Sequence, residues 1–256
     1  MTMEIHRSKH PVHGWREFLK EVGIIVLGVL IALGAEQAVE WLHWRQQVEL
    51  TEEALQHEIR FNLKFAYERR VDEQCMNGRI AHLRDQLLQP GSRWTSDSMP
   101  ARQFTQLSGR GSFYDPPAMP QVYRTPGRPY ETEVWDIALP GTALTHMPRE
   151  RAAFYAKVYD NVSYLRAAQA REEELWPKLA PLGFDRTLSA AERTAFLSTL
   201  SELARLNQAM AGSGGQLIDE ASRGGNELRL TRATADTVLA HAGHCGPTAP
   251  IPLARE

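Results

Sequence analysis

"EVGIIVLGVLIALGAEQAVEW" (residues 21–41) is the stretch on which the fold turns. It reads as a membrane span, as a secretion signal, or as a helix of a soluble core. Residues 22–35 contain no charged side chain, and as a helix this run is about 21 Å long, short of the roughly 30 Å hydrocarbon layer. The flanks lengthen it. Phe18 and Leu19 extend the apolar run upstream, and Ala38, Val39 and Leu42 extend it downstream. Lys20, Glu21 and Glu36 sit near the ends, where long side chains reach headgroups. Trp15 on one side and Trp41 and Trp44 on the other stand where interfacial anchors belong. From Trp15 to Trp41 a helix covers about 39 Å, near the thickness of a bilayer with its interfaces.

The leading reading is an uncleaved single span over residues 18–42. A basic leader, a short apolar core and the small-residue run "ALGA" (residues 32–35) keep a cleaved signal open, as they resemble a processing site. Against cleavage, no helix breaker separates the apolar core from the residues after it, and helical periodicity continues. Arg7, Lys9, Arg16 and Lys20 precede the stretch, whereas Glu36, Glu40, Glu49, Glu52, Glu53 and Glu58 come after it, relieved by Arg45 and Arg60. Excess Lys and Arg stay cytoplasmic, so residues 1–17 are expected inside and the bulk outside. The expected location is the cytoplasmic (inner) membrane of a bacterium, single-pass, with a periplasmic C-terminal domain.

The composition, 43% hydrophobic and 23% charged over 256 residues, suits a folded chain. A formal net charge of −2 gives no electrostatic ground for a nucleic-acid partner. Cys75 and Cys245 are the two cysteines. In an oxidising compartment they would form one long-range disulfide, worth about 4–5 kcal/mol in the chain-entropy account.

Beyond the apolar stretch, residues 48–91 read as helix until Pro90-Gly91 stops it. Leu55, Ile59, Leu63 and Ala66 form an apolar stripe that Ile80, Leu83 and Leu87 resume. Residues 91–131, dense in Gly, Pro, Ser and Arg, predict a long irregular loop, with a short helix starting after Ser98. "ETEVWDIALPGTALTHM" (residues 131–147) predicts two short helices bent at Pro140-Gly141, with Trp135 plugging the bundle end. Residues 148–183 predict an amphipathic helix burying Ala153, Ala156, Val158, Tyr159, Val162 and Leu165 until Trp176-Pro177. Ser189 with Glu192 is a capping-box signature opening the next helix. Gly212, Gly214 and Gly215 either break that helix or let a neighbour approach closely. A last helix is expected over residues 227–240, and residues 243–256 form a tail. The fold class is all-α: a membrane helix continuing into a periplasmic helical bundle over residues 43–242.

"GIIVLGVLIALGAEQAVEWLHWR" (residues 23–45), the charged helix after it and the tryptophan motif "ETEVWDIALPGTALTHM" resemble a family of bacterial single-span membrane proteins with an exported helical domain. The resemblance implies an uncleaved anchor and an exported helical fold. It implies no activity and brings no catalytic residues.

Candidate chemistry is sparse. His241, His244 and Cys245 in "HAGHC" stand within metal-ligand reach, but the disulfide is the favoured use of Cys245. "QHEIR" (residues 56–60) lacks the second histidine of a helical zinc-protease motif and reads as a solvated face. Glu172, Glu173 and Glu174 read likewise. "GSGG" (residues 212–215) lacks the lysine and strand of a phosphate loop, and no nucleophile elbow occurs. No catalytic, cofactor-binding or metal-ligating residue is assigned, no cofactor is expected, and the protein is not expected to be an enzyme. Gly28, Ala32 and Ala35 make a smooth helix face for lateral packing in lipid. Arg110, Arg124 and Arg128 in the irregular loop are the candidates for holding an anion or polymer. The expected partners are the bilayer and a membrane protein or a second copy of the chain. An anchored interaction or scaffold protein is the leading function. A sensor-like ligand-binding domain acting through a partner comes second, and an exported metallohydrolase using His241 and His244 third.

Overall fold

No proline occurs between Trp15 and Gln89, so nothing removes a backbone donor or forces a kink over that span. The result is a single helix, α1 (Trp15–Leu88), which ends two residues before Pro90 and just before Gly91, whose φ of +113° suits glycine. The computed structural model describes residues 14–99, 103–104, 113–114 and 120–241. Its further helices are α2 (Glu133–Ala138), α3 (Ala143–His146), α4 (Arg149–Leu175), α5 (Ala190–Arg223) and α6 (Arg232–His241). A 3-10 helix (Trp176–Gly183) comes after α4, and a 3-10 turn (Asn226–Leu228) precedes α6. The all-α expectation holds at this level.

Two units divide the chain, Met1–Leu50 and Thr51–Glu256. In the first, α1 exposes its apolar side chains: Ile24 is 72% exposed and Leu30 61%. This helix is long and apolar enough to cross a membrane, and none of its most apolar window is covered by protein. A soluble-core helix would be covered, so that alternative fits poorly. Trp15 stacks on Phe18, and Arg45 lies over the Trp41 ring and pairs with Glu49 at 2.9 Å.

The second unit is a bundle of α1 from Thr51 onward with α4 and α5. Leu55, Ile59, Leu63, Ala66, Ile80, Leu83 and Leu87 are all buried, as their spacing predicts. Buried on α4 are Tyr155, Val158, Tyr159, Val162 and Leu165, continued by Ala168 and Leu175. Ala153, expected on that face, is exposed, and Ala156 is half-buried. The α4 stripe starts later than read because Tyr155 takes the first core position. Contacts between residue pairs fix directions. Tyr159 meets Glu58 and Arg69 meets Glu172, so α4 runs parallel to α1. Asn207 meets Asn77 and Gly214 meets Ala66, so α5 runs back. Tyr67 and Val71 of α1 cluster with Ala235 and Val238 of α6. That last helix begins at Arg232 rather than residue 227, since Thr231 accepts from the Thr234 N–H and starts it there.

The capping box forms as the sequence predicts: the Ser189 hydroxyl accepts from the Glu192 N–H, and the Glu192 carboxylate accepts from the Ser189 N–H. These contacts hold the Glu192 carboxyl below its usual range, with the Arg186 charge adding to them. Gly212, Gly214 and Gly215 do not break α5. Instead a Cβ on Gly214 would stand 2.9 Å from the Ala66 carbonyl oxygen, so glycine sets how closely α5 approaches α1.

The described part of residues 91–131 is more ordered than an irregular loop. β1 (Arg93–Trp94) pairs antiparallel with β4 (Arg186–Thr187), and β2 (Gln103–Phe104) pairs with β3 (Phe113–Tyr114). Met99 bridges to Gln121, so the helix expected after Ser98 is replaced at both described points by extended pairing. Trp94 is buried, its indole N–H donating to the Leu182 carbonyl at 2.8 Å.

Gly214→Ala should lower stability by about 1–3 kcal/mol through overpacking against α1. Gly212→Ala, with nothing within 4 Å of its added Cβ, should instead stabilise by up to about 1 kcal/mol. Urea unfolding of the two variants reads both signs.

Candidate functional site

The inner face of α1 carries polar groups that a solvated helix would not bury. Glu58, Asn62, Glu68 and Arg69 are each at most 3% exposed. A buried polar group without partners costs several kcal/mol, so each dictates what lies against it. Glu58 accepts from the Val134 N–H at 2.8 Å and the Trp135 N–H at 3.4 Å, capping the start of α2, and takes the Tyr159 hydroxyl at 2.7 Å. Asn62 holds Glu131 from both sides, donating to its carbonyl at 2.7 Å and accepting its N–H at 2.8 Å. Glu68 takes the Arg128 guanidinium in a two-pronged pair at 2.9 and 3.0 Å. Further along, Arg79 donates to the Val122 carbonyl at 2.7 Å.

Residues 122–134 are thereby laid along α1 from Arg79 back to Glu58. That length of helix rises about 32 Å, so the segment must advance about 2.6 Å per residue. Such an advance needs a nearly extended chain, which Pro126 and Pro129 favour. Tyr123 and Tyr130 of this strap are buried, and burial pushes both phenols above their ordinary range. The tryptophan motif docks at its end: Trp135 is half-buried and stacks on Tyr159, ring centres 4.9 Å apart. Its stacking partner belongs to α4.

Two expectations of solvated faces are corrected. In "QHEIR", Glu58 is buried while His57 and Arg60 are exposed. In the triple glutamate, Glu172 is fully buried against Arg69 while Glu173 and Glu174 are exposed. Burial pushes the Glu172 carboxyl up, opposed by Arg69; burial lowers Arg69, but Glu172 together with Tyr123 and Tyr130 outweighs it and the guanidinium rises. The bond to Glu172 is made by Arg69 Nη2, and Nε and Nη1 have no hydrogen-bond partner among the described residues. Sequence spacing could not separate these two glutamates from their neighbours, because the signal is a partner distant in the chain.

Beside the strap lies a cleft of about 1240 Å³. His57, Arg60, Phe61 and Lys64 of α1 form one wall, and Arg124, Thr125 and Arg128 of the strap form another. Trp176 and Glu173 lie at the end of α4, and Arg229, Thr231 and Thr234 approach from around the start of α6. Both described loop arginines of the sequence reading thus reach the cleft, but they are largely committed to holding the strap. Arg128 is paired with Glu68, and Arg124 is buried and donates to Gln121 at 2.5 Å. Arg110 lies outside the described residues, as do His244 and Cys245; Cys75 is half-buried on α1. Gly28, Ala32 and Ala35 are exposed on α1, with Trp15 and Trp41 exposed and Trp44 half-buried.

Glu58, Glu131 and Glu133 bring carboxylate oxygens within 4.8 Å of one another. Glu58 already accepts two N–H groups and a hydroxyl there, so capping of α2 accounts for the grouping. Compared with protein-family models, with curated proteins and with solved structures, the chain has no match in any of the three.

Glu172→Ala should cost about 3–5 kcal/mol by leaving the Arg69 charge buried alone, whereas Arg69→Met with Glu172→Met should recover most of it. Chemical unfolding of the single and double variants tests the contrast.

Proposed function

We propose that the protein is a non-catalytic, single-span membrane protein whose helical unit, exported to the periplasm of a bacterium, works by interaction. The observation that carries this reading is the apolar face of α1, with Ile24, Ile25, Leu27, Leu30 and Ile31 all more than half exposed. Water does not tolerate a patch of that extent, and lipid does. Basic residues before it and acidic residues after it support an N-terminus in the cytoplasm. The smooth face of Gly28, Ala32 and Ala35 supports a second copy or another membrane protein alongside. The cleft favours a second element of the same reading, ligand binding by the helical unit. In that compartment Cys75 and Cys245 form a disulfide.

Carbonate washing should leave the chain in the membrane fraction, and a reporter fused after Glu256 should be active only if it is periplasmic. Freely soluble protein beginning near Glu36, or a reporter active in the cytosol, overturns the reading. Non-reducing peptide mapping should find Cys75 and Cys245 in one linked species, and reduction should lower the unfolding midpoint. Free thiols at both positions would remove the disulfide from the proposal.

A further inference from the structure

One wall of the cleft takes no part in holding the strap. His57, Arg60, Phe61 and Lys64 stand at i, i+3, i+4 and i+7 on α1, a single stripe facing the cavity. Arg60 and Arg229 are exposed and Lys64 is half-buried. None of the three has an ion pair or side-chain hydrogen bond among the described residues. Five cationic side chains line the cleft against three carboxylates, Glu131, Glu173 and Glu227. Glu173 accepts from Gln169 at 3.1 Å. Arg128 is neutralised by Glu68 beneath it, so five cations face four carboxylates and the cleft keeps a small positive excess, with Arg60, Lys64 and Arg229 the lining cations not engaged in holding the strap.

Successive turns of α1 place Arg60 and Lys64 about 6 Å apart at their Cβ atoms, within reach of two anionic groups on one molecule. Phe61 and Trp176 add ring surface, and Thr231 and Thr234 add hydroxyls. At about 1240 Å³ the cleft is far larger than a single inorganic ion fills. We propose that it binds a small organic polyanion, carrying two or more carboxylate or phosphate groups on a carbon body. Arg60, Lys64 and Arg229 contact the charges, and Phe61 and Trp176 pack against the body. Arg124 and Arg128 shape the site by holding the strap. This assignment rests on the ligand-binding element of the reading above and is independent of the anchor.

The test uses the full chain in mild detergent, titrated by calorimetry with citrate as the carboxylate probe, pyrophosphate as the phosphate probe and glycerol as a neutral control. At least one anion should bind saturably, glycerol should not, and the anion that binds identifies the source of charge. Arg60→Ala with Lys64→Ala should weaken binding by at least about tenfold. Arg84→Ala, which removes an exposed charge outside the cleft, should leave binding unchanged. Arg229→Ala, on a different segment, repeats the test should the double variant fold poorly. Absence of binding by both anions overturns the assignment. So does binding that Arg60, Lys64 and Arg229 do not affect, or that Arg84→Ala weakens equally. A chain that stays in the membrane yet binds neither probe sinks this inference alone.

Discussion

The buried polar row on α1 is the constraint on which the rest of the helical unit depends. Glu58, Asn62, Glu68 and Arg69 lie within about three turns of one helix, and none reaches water. A helix so endowed cannot be covered by apolar side chains alone, because each polar group left without a partner would cost more than packing returns. Partners must come from specific distant residues. Backbone N–H groups at Val134 and Trp135, the Glu131 peptide, Arg128 and Glu172 meet most of that demand, with Arg69 Nε and Nη1 left over among the described residues. The strap and α4 are thereby fixed in register, since sliding either by one residue would break several of these bonds together.

That register explains why residues 122–134 form neither helix nor sheet over most of their length. Their backbone is stretched over the part of α1 that separates Arg79 from Glu58, and a helical conformation would be far too short. The cleft is a consequence of the same arrangement. The strap binds the row at Glu58, Asn62 and Glu68, while the neighbouring stripe of His57, Arg60 and Lys64 faces open space. Arginines that looked alike in sequence therefore divide into two sets. Arg124 and Arg128 hold structure, and Arg60 and Arg229 face the cavity.

The same helix obeys opposite rules in the two units. Up to Leu42 its apolar side chains are exposed, and from Thr51 onward its apolar stripe is buried. Its low overall amphipathicity comes from this change of environment along the chain. Residues 22–35 are apolar on every side, the pattern of a helix surrounded by apolar solvent, whereas residues 55–87 are apolar on one side, the pattern of a bundle.

Local physics made much of this legible beforehand. The absence of proline gave α1 its length, the three- and four-residue spacing gave its buried stripe, and Ser189 with Glu192 gave the start of α5. Pro140-Gly141 gave the break between α2 and α3. Each depends on residues close in the chain, where propensity and periodicity act. Tertiary structure decided the rest. It determined that Glu58 and Glu172 go inside while their neighbours stay out, and that Gly214 is a contact rather than a break. It also made residues 122–134 a docked strap, and gave the open cleft to Arg60, Lys64 and Arg229. The reason is the same in each case: a charge or a glycine has no preference that spacing can express until a partner from elsewhere in the chain fixes its surroundings.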